Sequence, residues 1–149
     1  MIAVDTNVLV YAADRDSPFH GVCSRWLESQ REVPGAWYTT WSILYEFLRV
    51  TTHPRVMRRP WTGVAAWRFV TGLIASPGLE VLVETDRHAA VAEAVIGELP
   101  FLSGNLLHDA HTAILLREHG IARICTRDAD FNRFPFLEVI DPAGLRSPD

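Results

Sequence analysis

Asp5 interrupts an otherwise apolar run, "MIAVDTNVLVY", directly after the strand-like residues 2–4. Asp128 and Asp130, within "TRDADF", follow a second short apolar run at 123–125. Two more acids lie on helical patterns. Glu46 shares a narrow polar stripe with Ser42 and Arg49 on an otherwise apolar segment, and Asp109 shares one with Asn105 and Thr112. Carboxylates that converge in one cleft repel each other unless some keep a proton or a cation joins them. Hard oxygen donors of this kind select Mg2+, Mn2+ or Ca2+ rather than Zn2+. Each acid also has a plainer reading. Asp5 can cap the helix that follows, Glu46 can pair with Arg49 three residues on, Asp109 can sit in the favourable field of a helix's first turn, and Asp128 or Asp130 can hold a turn. Those readings do not account for the joint placement, with acids both at strand ends and on mostly apolar helices.

The acids depend on the elements that carry them. Short apolar strands at 2–4, 36–38, 79–84, 123–125 and 137–140 alternate with helical patterns at 7–13, 18–32, 60–75, 86–99 and 105–120. A further helix, "TTWSILYEFLRVTTHP", starts at a Thr cap and stops before Pro54. Alternation of this kind predicts parallel pairing through right-handed crossovers, hence a three-layer α/β/α sandwich around a parallel, five-stranded sheet. In such open sheets ligands bind beyond the carboxyl ends of the strands, where the winding reverses. If the first and fourth strands are neighbours, Asp5 and Asp128 face the same crevice.

Composition narrows the classes. The chain has 149 residues, 48% of them hydrophobic, with no repeat or linker, which predicts a single domain over residues 1–149 ending in a frayed tail, "RSPD". A formal net charge of -4 argues against a surface that is basic throughout, and all 14 basic residues are Arg, with no Lys. A local basic stretch remains: "RVTTHPRVMRRPW" gathers Arg49, Arg55, Arg58 and Arg59 with His53 and Trp61. Arginines of this kind suit phosphates, and Trp61 can either stack an unpaired base or pack into the core. Cys23 and Cys125, far apart and outside any CxxC pattern, read as small core residues in a reducing compartment. There is no basic n-region, and the longest charge-free run, 33–45, is too short to span a bilayer, so the chain is read as soluble and cytoplasmic, without a membrane partner. His108 and His111 flank Asp109 at H-x-x-H spacing, but no cysteine or third histidine stands suitably close in sequence, so zinc is not expected there.

Four motifs in order, "VDTNVLVY", "YEFLR", "HDAHTA" and "TRDADF", resemble those of the PIN-domain ribonucleases. The resemblance covers essentially the whole chain and is nearest to the toxin half of VapBC-type toxin-antitoxin pairs. It implies an endoribonuclease that uses Mg2+, with Mn2+ as the alternative, to cleave RNA phosphodiester bonds and so inhibit translation or growth. Asp5, Glu46, Asp109 and Asp128 are then the catalytic, metal-holding quartet and Asp130 a nearby fifth acid. Thr6 and Thr126 would orient a carboxylate or a water beside them. The same resemblance implies a cognate VapB-type antitoxin and a homodimer, which would use the apolar surface of the Trp-rich second to fourth helices.

Three other readings compete. A receiver-like phospho-acceptor domain shares the α/β sandwich, acids after the first strand and Mg2+ binding, but relies on a Lys that this chain lacks. Haloacid-dehalogenase-like phosphatases need D-x-D-x-T after the first strand, where this chain has Asp5-Thr6-Asn7-Val8. A PIN fold that only binds partners would normally have lost one of the quartet, and none is missing.

Overall fold

The strand at the centre of the molecule, β1 (Ile2–Val4), is buried along its whole length. That suits a short, continuous apolar run, because a strand covered on both faces has no solvent side to keep polar. The computed structural model describes residues 1–144, so the expected "RSPD" tail lies outside the described residues. The remaining strands are β2 (Trp37–Thr40), β3 (Leu79–Leu82), β4 (Arg123–Cys125) and β5 (Glu138–Ile140), all parallel and ordered β3-β2-β1-β4-β5. Ala3 is in register with Tyr38 on one side and Ile124 on the other. The expected adjacency of the first and fourth strands is therefore present.

Alternation along β1 divides the core. Ile2 and Val4 join the cluster built with α1 (Thr6–Ala13), α2 (His20–Glu32), α3 (Trp41–Thr51) and α4 (Gly63–Ile74). Ala3 joins the opposite cluster, built with α5 (His88–Glu98) and α6 (Leu106–Glu118). The three expected layers follow from this division. Cys23 and Cys125 are both buried and free, within the first cluster.

Element limits differ from the sequence reading in instructive places. β2 runs on to Thr40 rather than stopping at Tyr38, since Thr39 and Thr40 are buried despite their hydroxyls. The Thr40 hydroxyl accepts a hydrogen bond from Ile43 N at 3.2 Å and so starts α3. α4 begins at Gly63, with Thr62 as its cap, and not at Pro60. The preceding Trp61 ring lies edge-on to Phe47 and Phe69, at 6.1 and 5.8 Å between centroids. That packing agrees with the core option for Trp61, whose partly buried side chain lies against the first cluster. α6 ends at Glu118 in a Schellman arrangement, with Ile121 N donating to Leu116 O at 2.8 Å and Gly120 N to Arg117 O at 3.2 Å. Gly120 adopts φ +70° there, a conformation that a side chain disfavours. After β4 a short 3-10 helix, Ala129–Arg133, replaces the simple turn expected around Asp128 and Asp130.

Two Thr caps start α3 and α4, and removing either leaves a helix N-H without its partner. Thr40→Ala and Thr62→Ala are each expected to lower unfolding free energy by about 1 kcal/mol, read from urea denaturation. Thr40→Ala should have the larger effect, because Thr40 is buried whereas Thr62 is exposed.

Candidate acidic active site

β1 and β4 are the pair at which the sheet's winding reverses, and the chain leaves both at the same edge. Asp5 follows β1, and its backbone N donates to Cys125 O at 3.0 Å, which stitches the two strand ends together. Asp5 occupies the N-cap position of α1, yet its side chain makes no capping hydrogen bond. Instead its Oδ2 accepts from Thr126 Oγ1 and from Asn7 Nδ2, each at 2.8 Å. Thr126 Oγ1, fully buried, also accepts from Asp128 N at 2.9 Å. Asn7 reaches across in the other sense, accepting from Arg127 N at 3.0 Å. Thr6 Oγ1 lies 3.1 Å from Glu46 Oε2 as its donor and links α1 to α3.

All five candidate acids line one cleft of about 690 Å3: Asp5, Glu46, Asp109, Asp128 and Asp130. Asp109, Asp128 and Asp130 form its tightest group, each offering an oxygen within 4.8 Å of the others. Asp130, the least certain of the five by sequence, thus sits among the acids, and its backbone N donates to Asp128 Oδ1 at 2.9 Å. Glu46 is half exposed and also meets Arg49, at 3.4 Å. The plain ion-pair reading of Glu46 therefore holds alongside its place in the cleft.

The electrostatics follow from crowding. Burial, opposed by its hydrogen bonds and aided by Glu46 and Asp128, pushes the Asp5 carboxyl up to about 6. Burial and then the charges of Asp128, Asp5, Asp130 and Glu46 push Asp109 up to about 7. A cleft that raises two carboxyls in this way is one that a cation can relieve. The donors are all carboxylate oxygens, the set that fits Mg2+ or Mn2+.

The basic stretch divides. Arg49 lines the cleft, whereas Arg59 is engaged by Asp16 at 2.9 and 3.0 Å beside a separate groove that also includes Pro60 and Trp61. Arg55 and Arg58 are exposed and outside the cleft lining. His108 and His111 both line the cleft, and His111 meets Glu84. Asn7 is the residue whose role sequence reasoning missed. Its signal was the third polar residue of "DTN", more than one helix cap requires.

A sandwich of this strand order, with its acids gathered at the β1/β4 switch point, defines a class of acidic α/β site. Comparison with known proteins then specifies the family. The PIN domain family model matches residues 2–137. Ribonuclease VapC48 of Mycobacterium tuberculosis is 33% identical over 138 residues, covering 93% of this chain and 94% of the relative. Ribonuclease VapC37 of the same species is 32% identical over 145 residues, covering 97% and 99%. In fold, the chain resembles Rickettsia felis VapBC2, solved bound to a DNA fragment from its promoter, with TM-score 0.68, 17% identity and coverage of 94% and 98%. It also resembles Mycobacterium tuberculosis VapC20, a sarcin-ricin loop cleaving toxin, with TM-score 0.63, 22% identity and coverage of 89% and 93%. The chain belongs to the PIN-domain family, among the VapC ribonucleases. The strand order agrees: in the receiver-like alternative β1 lies between β2 and β3, and here it lies between β2 and β4.

The raised acids make the metal-free protein sensitive to pH. A carboxyl whose pKa is higher folded than unfolded holds a proton that the unfolded chain has released, so stability falls as pH rises between the two values. For Asp5 and Asp109 that window runs from 3.8 to about 6 and about 7 respectively. Calorimetry on chelator-treated protein is expected to show a smaller fall in melting temperature across this window for Asp109→Asn than for the parent. Mg2+ is expected to stabilise the parent more at pH 8 than at pH 5, because protons compete for the same oxygens.

Proposed function

We propose that this protein is a single-domain, divalent-metal-dependent endoribonuclease, the toxin of a VapBC-type pair, which inhibits translation or growth by cleaving RNA phosphodiester bonds. The observation that carries the reading is the convergence of five acids from four separate segments in one cleft. Asp5, Glu46, Asp109 and Asp128 are the residues that would hold Mg2+, or Mn2+, with Asp130 as a supplementary ligand. A bound cation supplies a Lewis acid for the phosphate oxygens and lowers the pKa of an attacking water.

The chain's own groups do the rest. Thr126 and Asn7 fix one oxygen of Asp5, which keeps the carboxylate from rotating away from the cleft. Thr6 does the same for Glu46. Arg49, the one guanidinium on the cleft wall among the four in the basic stretch, would turn from Glu46 to a phosphate and offset the acids' repulsion of RNA. Arg55 and Arg58 would serve a longer strand at the periphery. Arg59, already paired with Asp16, contributes least.

The partner reading has its own support. Trp41, Tyr45, Val64 and Trp67, on α3 and α4, remain exposed. Apolar surface of this kind suits a homodimer contact and a VapB-type antitoxin. Several structures of similar fold are toxin-antitoxin complexes, among them VapBC-1 from nontypeable Haemophilus influenzae.

Incubating the purified protein with labelled RNA, with Mg2+ or with chelator, tests the activity. The parent is expected to cut only with the metal, and Asp5→Asn to abolish cutting while leaving the circular dichroism spectrum intact. Cutting by Asp5→Asn at the parent's rate would overturn the assignment. Asn7→Ala, which removes a brace rather than a ligand, is expected to cost about 10- to 100-fold in metal affinity or rate. Intact RNA under every metal condition would favour a PIN fold that only binds partners.

A further inference from the structure

The connection after β3 and the helices α5 and α6 build a second polar cluster next to the acidic cleft. Glu84, His88 and His111 offer a carboxylate oxygen and two ring nitrogens that all lie within 4.8 Å of one another. His111 Nε2 stands 2.9 Å from Glu84 Oε1, and the two imidazole rings meet edge to face with centroids 5.7 Å apart. Behind His88 lies Glu118, whose side chain is fully buried, with Oε2 2.7 Å from His88 Nδ1. The other oxygen of Glu118 accepts from the Thr85 backbone N at 2.7 Å and from the Thr85 hydroxyl.

A carboxylate against Nδ1 keeps the ring proton there and leaves the lone pair on Nε2. Metal-ligating histidines are oriented in this way by an outer carboxylate. Two separate ion pairs would account for His111 with Glu84 and for His88 with Glu118. They do not account for the convergence of both imidazoles on the same Glu84 carboxylate.

We propose that Glu84, His88 and His111 form a binding site for a borderline divalent cation, best fitted by Zn2+, separate from the all-oxygen cleft and oriented by Glu118. Two imidazoles and one carboxylate make a three-ligand set that leaves a fourth position for water or another donor. Zinc's ligands, about 2.0–2.1 Å from the metal in a tetrahedron, stand about 3.3 Å apart, so the cluster needs only small side-chain movements to close on the ion. Nitrogen donors favour Zn2+ over Mg2+, which lets the two sites take different metals. An ion here would tie the β3–α5 connection to α6 and add positive charge beside the cleft that His111 lines.

The test uses the full chain, stripped with chelator, in an Asp5→Asn, Asp128→Asn background that disables the acidic cleft. Titration with Zn2+ alone is expected to show one equivalent bound and a rise in melting temperature with it. Co2+ in place of Zn2+ should give the visible absorption of a low-coordinate nitrogen and oxygen site. Glu84→Ala and His88→Gln should each weaken Zn2+ binding by at least tenfold, and Glu118→Gln by about 10- to 100-fold. Glu84 is exposed, so Glu84→Ala keeps the test decisive if His88→Gln fails to fold. Absence of Zn2+ uptake in this background, or uptake unchanged by Glu84→Ala, overturns the proposal. Neither result bears on the ribonuclease reading, which stands or falls with the parent acids.

Discussion

The burial of carboxylates that also repel one another is the constraint around which the rest of this structure is arranged. Five acids share one cleft, and two of them are held far above their ordinary pKa by burial and by each other. Such a site works against folding unless a cation or a proton is present. The braces around it make sense in that light. Thr126 and Asn7 supply neutral donors that satisfy Asp5 without neutralising it, and Thr6 supplies one to Glu46 beside the Arg49 contact. A Lys or Arg in those positions would form an ion pair and compete with a metal.

The scaffold places these acids by topology rather than by local motif. β1 and β4 are adjacent and parallel, so the residues that follow them emerge side by side although more than a hundred positions separate them in sequence. Glu46 and Asp109 arrive from helices on opposite faces of the sheet, α3 and α6. Their positions depend on the apolar packing of those helices, including Leu44 and Phe47 on one face and Ala113 and Leu116 on the other. The cleft is therefore only as rigid as two separate halves of the core.

Much of this was legible in the chain itself. The strand and helix alternation and the five acids follow from periodicity and from charges interrupting apolar runs. What escaped was decided by contacts distant in sequence. Thr39 and Thr40 read as the capped start of a helix and instead complete β2, buried by their neighbours, with Thr40 still capping α3. Trp61 sits in a basic stretch and packs on Phe47 and Phe69. Arg59 looks available to phosphate and is taken by Asp16, 43 residues away. His111 was read only against His108 at H-x-x-H spacing, whereas its neighbours, Glu84 and His88, arrive from a different connection. Asn7 was visible as a polar residue too many, but its role as a brace needed the β4 loop beside it.

Family membership, the acidic cleft and the apolar surface of α3 and α4 fit one economy of design. On the proposed reading the acids act where a metal and a phosphate meet, and the exposed aromatic surface offers a partner a way to cover the neighbourhood. The central claim is that the four converging acids of the quartet hold the metal. Crystals grown with Mn2+ and measured for anomalous scattering test it most directly. The account predicts a peak bounded by Asp5, Glu46, Asp109 and Asp128 that disappears in Asp109→Asn. A Mn2+ peak elsewhere, or one unchanged by that substitution, would contradict it.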